Sequence, residues 1–239
     1  GTIMPSCDEK LPPLKYALHP NAVVLQILHS RLDVFPITSN STLEKPFQVE
    51  IGCKRIIDFH FIGPTAKVTR LAVLTEEFNK VPTLRLIEID STNRVFNEDL
   101  EKKVTLQYDT YLLIPYDPEN QSIIVAFSTQ QAIRVIYSNL NPIKTTATIF
   151  TKDPLTNLLA MKPDFYIAID EPQNLRVVKL EKEGPVHFID VGKCPKPSCV
   201  AAISSTLAFI GSEVDDSVIY TIEEDQNSSS AKIFDTIQS

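Results

Sequence analysis

Ala22-Val23-Val24-Leu25-Gln26-Ile27-Leu28, a turn at His29-Ser30, and then Arg31-Leu32-Asp33-Val34-Phe35-Pro36-Ile37 form the stretch that decides the fold. A nearly continuous apolar run, a short polar turn and a second, partly alternating run make a β-hairpin pattern. The pattern recurs. Leu71-Ala72-Val73-Leu74 leads through Phe78-Asn79-Lys80 to Leu84-Arg85-Leu86-Ile87-Glu88-Ile89, and Ile123-Ile124-Val125-Ala126-Phe127 leads to Ala132-Ile133-Arg134-Val135-Ile136-Tyr137. Two further copies run from Phe165-Tyr166-Ile167-Ala168-Ile169 to Leu175-Arg176-Val177-Val178-Lys179-Leu180, and from Leu207-Ala208-Phe209-Ile210-Gly211 to Ser217-Val218-Ile219-Tyr220-Thr221-Ile222.

The copies begin at positions 22, 71, 123, 165 and 207, giving steps of 49, 52, 42 and 42 residues. A repeat of roughly 40 to 50 residues built only of strands is the mark of a β-propeller, since helical repeats of that length place apolar residues three and four apart. The unbroken apolar strand fits an inner blade strand covered on both faces, and its alternating partner has one face nearer water. Phe47-Gln48-Val49-Glu50-Ile51, Val104-Thr105-Leu106-Gln107-Tyr108 and Pro185-Val186-His187-Phe188-Ile189-Asp190-Val191 supply further strands.

The expected fold is therefore all-β, a single incomplete propeller domain over residues 1–239 with about five blades visible. Its repeat units are 12–53, 54–97, 98–142, 143–192 and 193–239, part of a ring of seven blades in a larger multi-propeller protein. No tryptophan is present, so the Trp-Asp signature of WD-type blades is missing. Only six glycines occur, where average usage gives roughly seventeen. A β-sandwich or barrel is the competing architecture, because it too strings short strands between turns. Five blades leave two flanks uncovered, to be closed by missing blades or by a partner.

Of the 239 residues, 43% are hydrophobic and 22% charged, enough for a sizeable core without disulfides. Cys7, Cys53, Cys194 and Cys199 are too few and too scattered for a disulfide framework, which favours a reducing compartment. The longest apolar runs fall far short of the roughly 20 residues that span a bilayer, and no basic-then-apolar signal peptide opens the chain. Asn40-Ser41-Thr42 and Asn227-Ser228-Ser229 match the glycosylation sequon, a pattern common by chance. Thirty acidic against twenty-three basic side chains give a net charge of −7. That disfavours direct nucleic-acid binding, which rests on neutralising phosphates.

Motifs for catalysis are missing from the sequence. The closest glycines, Gly184 and Gly192, are too far apart for a phosphate-cradling loop. His19, His29, His60 and His187 are isolated, without the spacing that puts two zinc ligands on one helical face. No Gly-x-Ser-x-Gly elbow or Cys-x-x-Cys pair occurs. Cys194-Pro195-Lys196-Pro197-Ser198-Cys199 has the spacing of half a zinc site and reads as free thiols in a loop. The carboxylate groups Asp215-Asp216, Glu223-Glu224-Asp225 and Glu76-Glu77 read as solvated charge in turns or after strands. Tyr108, Tyr111, Tyr116, Tyr137 and Tyr220 read as blade packing or as interface aromatics. No enzyme, cofactor or metal is expected.

The segment Leu207-Ala208-Phe209-Ile210-Gly211-Ser212-Glu213-Val214-Asp215-Asp216-Ser217-Val218-Ile219-Tyr220 resembles a recurring segment in a superfamily of large adaptors. They are the large subunit of the UV-damaged-DNA-binding complex, the largest cleavage and polyadenylation specificity factor subunit, and a related spliceosomal subunit. There an apolar strand runs into Gly-Ser, three variable residues, Asp or Asn, often Ser, and another apolar strand, which Gly211, Ser212, Asp216 and Ser217 match. The physical logic is a turn with a glycine for backbone freedom and short polar side chains to bond it. Arg55-Ile56-Ile57-Asp58-Phe59-His60-Phe61-Ile62 and the two strands after it resemble an earlier blade. Gln130-Gln131 and Glu171-Pro172-Gln173-Asn174 stand where relatives carry Gly-rich turns.

The resemblance implies most of the first of three propellers in a nuclear protein without catalytic residues. It implies an adaptor of a cullin-type ubiquitin ligase linked to DNA repair or replication, whose propeller recruits substrate receptors while other parts of the full-length chain dock the cullin. A fungal cullin adaptor of the same build fits. So does a structural subunit of a pre-mRNA splicing or polyadenylation complex. From the residues alone, a propeller enzyme with acidic channel residues is a third reading.

Overall fold

The structure is a computed structural model that describes residues 15–62, 69–99, 102–116, 123–128, 131–138, 141–144, 148–149, 153, 155–162, 164–180, 186–224 and 229–238. Cys7, Gln130, Gly184, Pro185, Asp225, Asn227 and Ser228 lie outside the described residues, as do the side chains of Tyr116, Tyr137 and Glu224.

Among the described residues the chain is all-β with almost no helix. Its strands form five separate antiparallel sheets, each a meander in which sequence neighbours pair. Sheet 1 contains β1 (Lys15–His19), β2 (Ala22–Leu28), β3 (Arg31–Pro36) and β4 (Phe47–Glu50). Sheet 2 has β5 (Arg55–Ile62), β6 (Thr69–Glu76), β7 (Pro82–Asp90) and β8 (Val95–Glu98), with β9 (Val104–Thr105) pairing on the start of β7. Sheet 3 has β10 (Leu112–Tyr116), β11 (Ile123–Phe127), β12 (Gln131–Ser138) and β13 (Asn141–Lys144), with β14 (Thr148–Ile149) pairing on the start of β12. Sheet 4 runs β15 (Leu155–Lys162), β16 (Phe165–Asp170), β17 (Asn174–Lys179) and β18 (His187–Lys193). Sheet 5 runs β19 (Cys199–Ala202), β20 (Leu207–Gly211), β21 (Ser217–Glu224) and β22 (Ser229–Ile237).

The apolar strand of each repeat is the second of its sheet, β2, β6, β11, β16 or β20, and its alternating partner is the third. The strand preceding each apolar run is thus the first of its sheet. Of the additional strands read from sequence, Phe47–Glu50 forms as expected, only Val104–Thr105 of the Val104 to Tyr108 run is strand, and the last begins at His187.

Contacts divide the chain into two compact units, one carrying the first three sheets, the other the last two together with β14 and the start of β12. In the first unit, sheet 2 shows why its strands are apolar at consecutive positions. Leu71, Val73, Ile87, Ile89 and Phe59 pack against Ala22, Val24, Leu32 and Val34 of sheet 1. The alternate residues Ala72, Leu74, Leu84, Leu86 and Ile62 pack against Leu113, Ile124, Ala126 and Val135 of sheet 3. Neighbouring side chains point to opposite faces, and both faces are covered. Burial of each Leu or Phe here contributes about 1.5–3 kcal/mol.

In the second unit the same alternation places Phe165, Ile167, Ile169, Leu175 and Val177 of sheet 4 against Ala208, Ile210, Val218 and Ile222 of sheet 5. The other set on sheet 4, Tyr166, Ala168 and Val178, is buried as well.

Scarce glycine has a structural counterpart in the turns. Ser41, Lys80, Arg94 and Gln173 adopt φ values of 56°, 67°, 57° and 65°, a region usually left to Gly and Asn. Short polar side chains hold all four turns, with Thr38 Oγ1 accepting from Thr42 N–H at 3.2 Å around Ser41. Asp90 Oδ1 accepts from the N–H of Thr92 and of Asn93, both at 3.0 Å, and Asn79 Oδ1 accepts from Val81 N–H at 3.1 Å. Asp170 Oδ1 accepts from Asn174 N–H at 2.7 Å, which closes Glu171-Pro172-Gln173-Asn174 with Gln173 in the glycine position. Local bonds from side chain to backbone replace the missing conformational freedom.

Candidate functional site

The first unit carries a groove of about 540 Å³ between sheets 2 and 3, within the usual size range of a binding pocket. Lys54 enters from the segment joining sheets 1 and 2, Arg55 and Ile57 from β5, Glu76 and Pro82 from the facing ends of β6 and β7, and Lys80 from the turn between them. Tyr108, Asp109, Thr110 and Tyr111 enter from the segment leading into β10. The Thr110 N–H and Oγ1 both donate to Gln107 O, at 3.0 and 2.8 Å, closing a turn around Tyr108 and Asp109. Tyr108 is 73% exposed, and Phe78, in the Lys80 turn, is 76% exposed.

Glu76 accepts from Lys54 Nζ and Arg55 Nε, each at 2.5 Å. Those two bonds, Lys54 first, hold its carboxyl below the usual carboxylate range. The Tyr111 hydroxyl is buried, with no hydrogen-bond partner among the described residues. Burial first, and then the Asp109 charge, push its pKa up to about 12. At neutral pH it is an unused donor, and leaving a buried donor unmet costs about 1–3 kcal/mol. Three cations and two carboxylates line the groove, so it is locally positive on a chain of net charge −7.

Behind the groove, Arg85 on β7 is only 1% exposed. Its Nη2 donates to Glu77 Oε1 and Oε2 at 2.6 and 2.7 Å and to Gly52 O at 3.0 Å, while Nη1 donates to Glu98 Oε1 at 3.0 Å. One guanidinium thus joins the β6–β7 turn, the end of β8 and the segment entering sheet 2, a use that suits its planar fork. Burial pushes the neighbouring Cys53 thiol up to about 11.

Asp58, fully buried in β5, ties three sheets together. Its Oδ2 accepts from Leu113 N–H on β10 at 2.7 Å, and its Oδ1 pairs with Lys15 of β1 and lies 3.4 Å from His60 Nε2. Strands β1 and β10 both lie beside β5.

The residues singled out by sequence fare differently. Glu76 and Glu77 are not solvated loop charge: both are engaged by cations, and Glu77 clamps a buried arginine. Asp215 and Asp216 are exposed in the β20–β21 turn, where Asp215 Oδ2 accepts from Lys196 N–H at 3.3 Å. Tyr220 is buried, and its hydroxyl donates to Lys193 O at 3.1 Å. His19 lies against the Phe61 ring, centroids 5.0 Å apart.

In the β20–β21 turn, Ser212 Oγ accepts from Asp215 N–H at 3.1 Å, and Ser217 Oγ accepts from Ser212 N–H at 3.1 Å. Gly211 has no positive φ. Its lack of a side chain serves close approach rather than backbone freedom, because a Cβ there would stand 2.5 Å from Cys199 Sγ and 3.0 Å from the Phe209 ring. Cys194 is buried with its Sγ 3.6 Å from Gln173 O, and burial lifts its thiol to about 11, whereas Cys199 is exposed.

Sequence reading missed Asp58, Arg85 and the groove. Asp58 and Arg85 each left a signal, a charge inside an otherwise apolar strand, and for arginine that signal recurs at Arg134 and Arg176. The groove left none, since its lining comes from four separate segments.

No protein-family model matches this chain, and no curated protein matches it.

Proposed function

We propose that the five sheets are blades of a β-propeller and that the chain is a non-enzymatic scaffold that binds other proteins. The observation that carries this reading is sheet 2, a four-stranded meander covered on one face by a like sheet before it and on the other by a like sheet after it. Radial repetition of this unit is the propeller's way of hiding sheet faces. The first strands β1, β5 and β10 lie side by side, as the strands around a propeller's central channel do. Exposed Tyr16 and Leu18 on sheet 1, and Phe234 and Ile237 on sheet 5, suit the flanks of a ring with further blades.

Within that reading the chain serves as a nuclear adaptor of a cullin-type ubiquitin ligase linked to DNA repair or replication, and its propeller recruits substrate receptors. The support is the resemblance carried by Leu207 to Tyr220. A stable complex of this kind buries about 800 Å² on each partner, far more than the groove alone offers, so the surrounding loop face belongs to the interface.

Affinity capture of the tagged protein from nuclear extract, with the bound chains identified by mass, tests the assignment. Recovery of a cullin together with varied receptor proteins is the expected result. Recovery of splicing or polyadenylation subunits alone overturns the ligase role and transfers the scaffold to RNA processing.

A further inference from the structure

We propose that the groove lined by Lys54, Arg55, Lys80, Tyr108 and Tyr111 docks an acidic peptide segment of a partner protein, one of whose carboxylates accepts the hydrogen bond that the Tyr111 hydroxyl leaves unused. The inference rests on the reading of the chain as a protein-binding scaffold and names what one part of its surface takes.

Three independent features converge on a carboxylate. The first is the orphan donor. Tyr111 lines the groove and its Oη is buried with no partner among the described residues, so a carboxylate seated against the ring and reaching the hydroxyl would satisfy it. The second is charge. Glu76 is committed to Lys54 and Arg55 and does not neutralise Lys80, which lines the groove from an exposed turn. Burial first, and then the charge of Asp109, keep the Tyr111 hydroxyl protonated and so a donor; Asp109 itself opposes a second carboxylate there, and Lys54, Arg55 and Lys80 outnumber the two lining anions. The third is contrast with the rest of the chain. A net-positive groove on a protein of charge −7 draws an acidic segment to one place and away from the remaining surface.

The rim specifies a peptide rather than a free anion. Tyr108 lines the groove and is largely exposed, and Phe78, two residues before Lys80 in the same turn, is exposed as well; such aromatic surface is covered by a peptide's apolar side chains and not by an inorganic anion. At about 540 Å³ the groove admits one or two side chains of an extended segment.

The test uses the full chain and a short fluorescein-labelled peptide of aspartate and glutamate around a central phenylalanine, with its asparagine and glutamine twin as control. Fluorescence anisotropy is expected to show binding of the acidic peptide, weakening as salt rises, and at least about tenfold weaker binding of the neutral twin. Tyr111→Phe, which removes only the hydroxyl, and Lys80→Glu, on an exposed turn, are each expected to lower affinity about tenfold, with the melting temperature unchanged for Lys80→Glu and unchanged or raised for Tyr111→Phe, whose unmet buried donor is gone. Failure of the acidic peptide to bind, equal binding of the two peptides, or wild-type affinity in both variants overturns the inference. If captured proteins persist unchanged in those variants, the groove inference falls and the scaffold reading stands. If the peptide behaves as expected but no protein is captured, the scaffold reading falls alone.

Discussion

Asp58 Oδ2 accepts the backbone N–H of Leu113 at 2.7 Å, so a carboxylate in the middle of β5 closes a bond to β10, fifty-five residues further along the chain. The other oxygen of the same group meets Lys15 of β1. A strand that contributes nothing but apolar contacts can slide against its neighbours. A buried carboxylate with fixed donors from both sides sets their register, and it exacts a desolvation cost that only those donors offset.

Asp58→Ala strands the Leu113 N–H and the Lys15 ammonium together. The expected loss is about 1–3 kcal/mol of unfolding free energy, measured by urea denaturation, most of it from the buried N–H, since Lys15 is one-third exposed. Asp58→Asn keeps one acceptor and is expected to lose less. Equal stability of Asp58→Ala and wild type would mean that the carboxylate does not tie the sheets.

Acid sensitivity follows from the same group. Burial would raise the Asp58 pKa, but the hydrogen bond and charge of His60, then those of Lys15, outweigh it and hold the carboxyl below its ordinary value of 3.8. Glu77 behaves alike, with burial outweighed chiefly by its bonds to Arg85 and Thr75. A depressed folded pKa stabilises above the unfolded value, and that stability is lost as pH falls through the folded one. Unfolding free energy is thus expected to fall steeply below about pH 4, and Asp58→Asn should show a shallower acid limb. Parallel limbs would contradict this account of Asp58.

Arg85 is a fork, not merely a charge. Arg85→Lys supplies one ammonium where six hydrogen bonds reach Glu77, Glu98 and Gly52 O, and it is expected to be destabilised nearly as much as Arg85→Met, by about 2–4 kcal/mol in thermal or urea unfolding. Wild-type stability of Arg85→Lys would reduce the network to simple charge neutralisation.

Gly211→Ala places a methyl group against Cys199 Sγ and the Phe209 ring, and such overpacking costs about 1–3 kcal/mol. Cys199→Ala removes the nearer obstacle, so the double variant should recover about half the loss in a double-mutant cycle. Additive losses would show that Gly211 is required for another reason.

Much of the fold is legible because its signal is local. An apolar strand, a polar turn and an alternating strand depend only on residues adjacent in sequence, and all five copies appear as adjacent strands of a sheet. Position within the sheet is not local. The continuous run marks the second strand of each sheet, but both its faces are covered only in the inner sheets: Val125 and Ile167 are buried, whereas β2 and β20 alternate and Leu25 on β2 is only partly buried. Glu76 and Glu77 read as solvent-facing because their partners, Lys54, Arg55 and Arg85, come together only through strand pairing and turn geometry. The Gly211 glycine was legible as a requirement but not as a contact, since Cys199 reaches it across the β19–β20 pairing. The groove was illegible for the same reason, being a property of two sheets and the turns between them.

The central claim is that this molecule works by holding other proteins, and site-specific photo-crosslinking tests it most directly. A photoreactive phenylalanine analogue is placed at Tyr108, on the groove, or at Val95, exposed on β8 and outside its lining, and each protein is irradiated in nuclear extract. The account predicts discrete protein adducts from Tyr108, containing ubiquitin-ligase or receptor subunits, that Val95 does not give. Absence of adducts at Tyr108, or the same diffuse set from both positions, would contradict it.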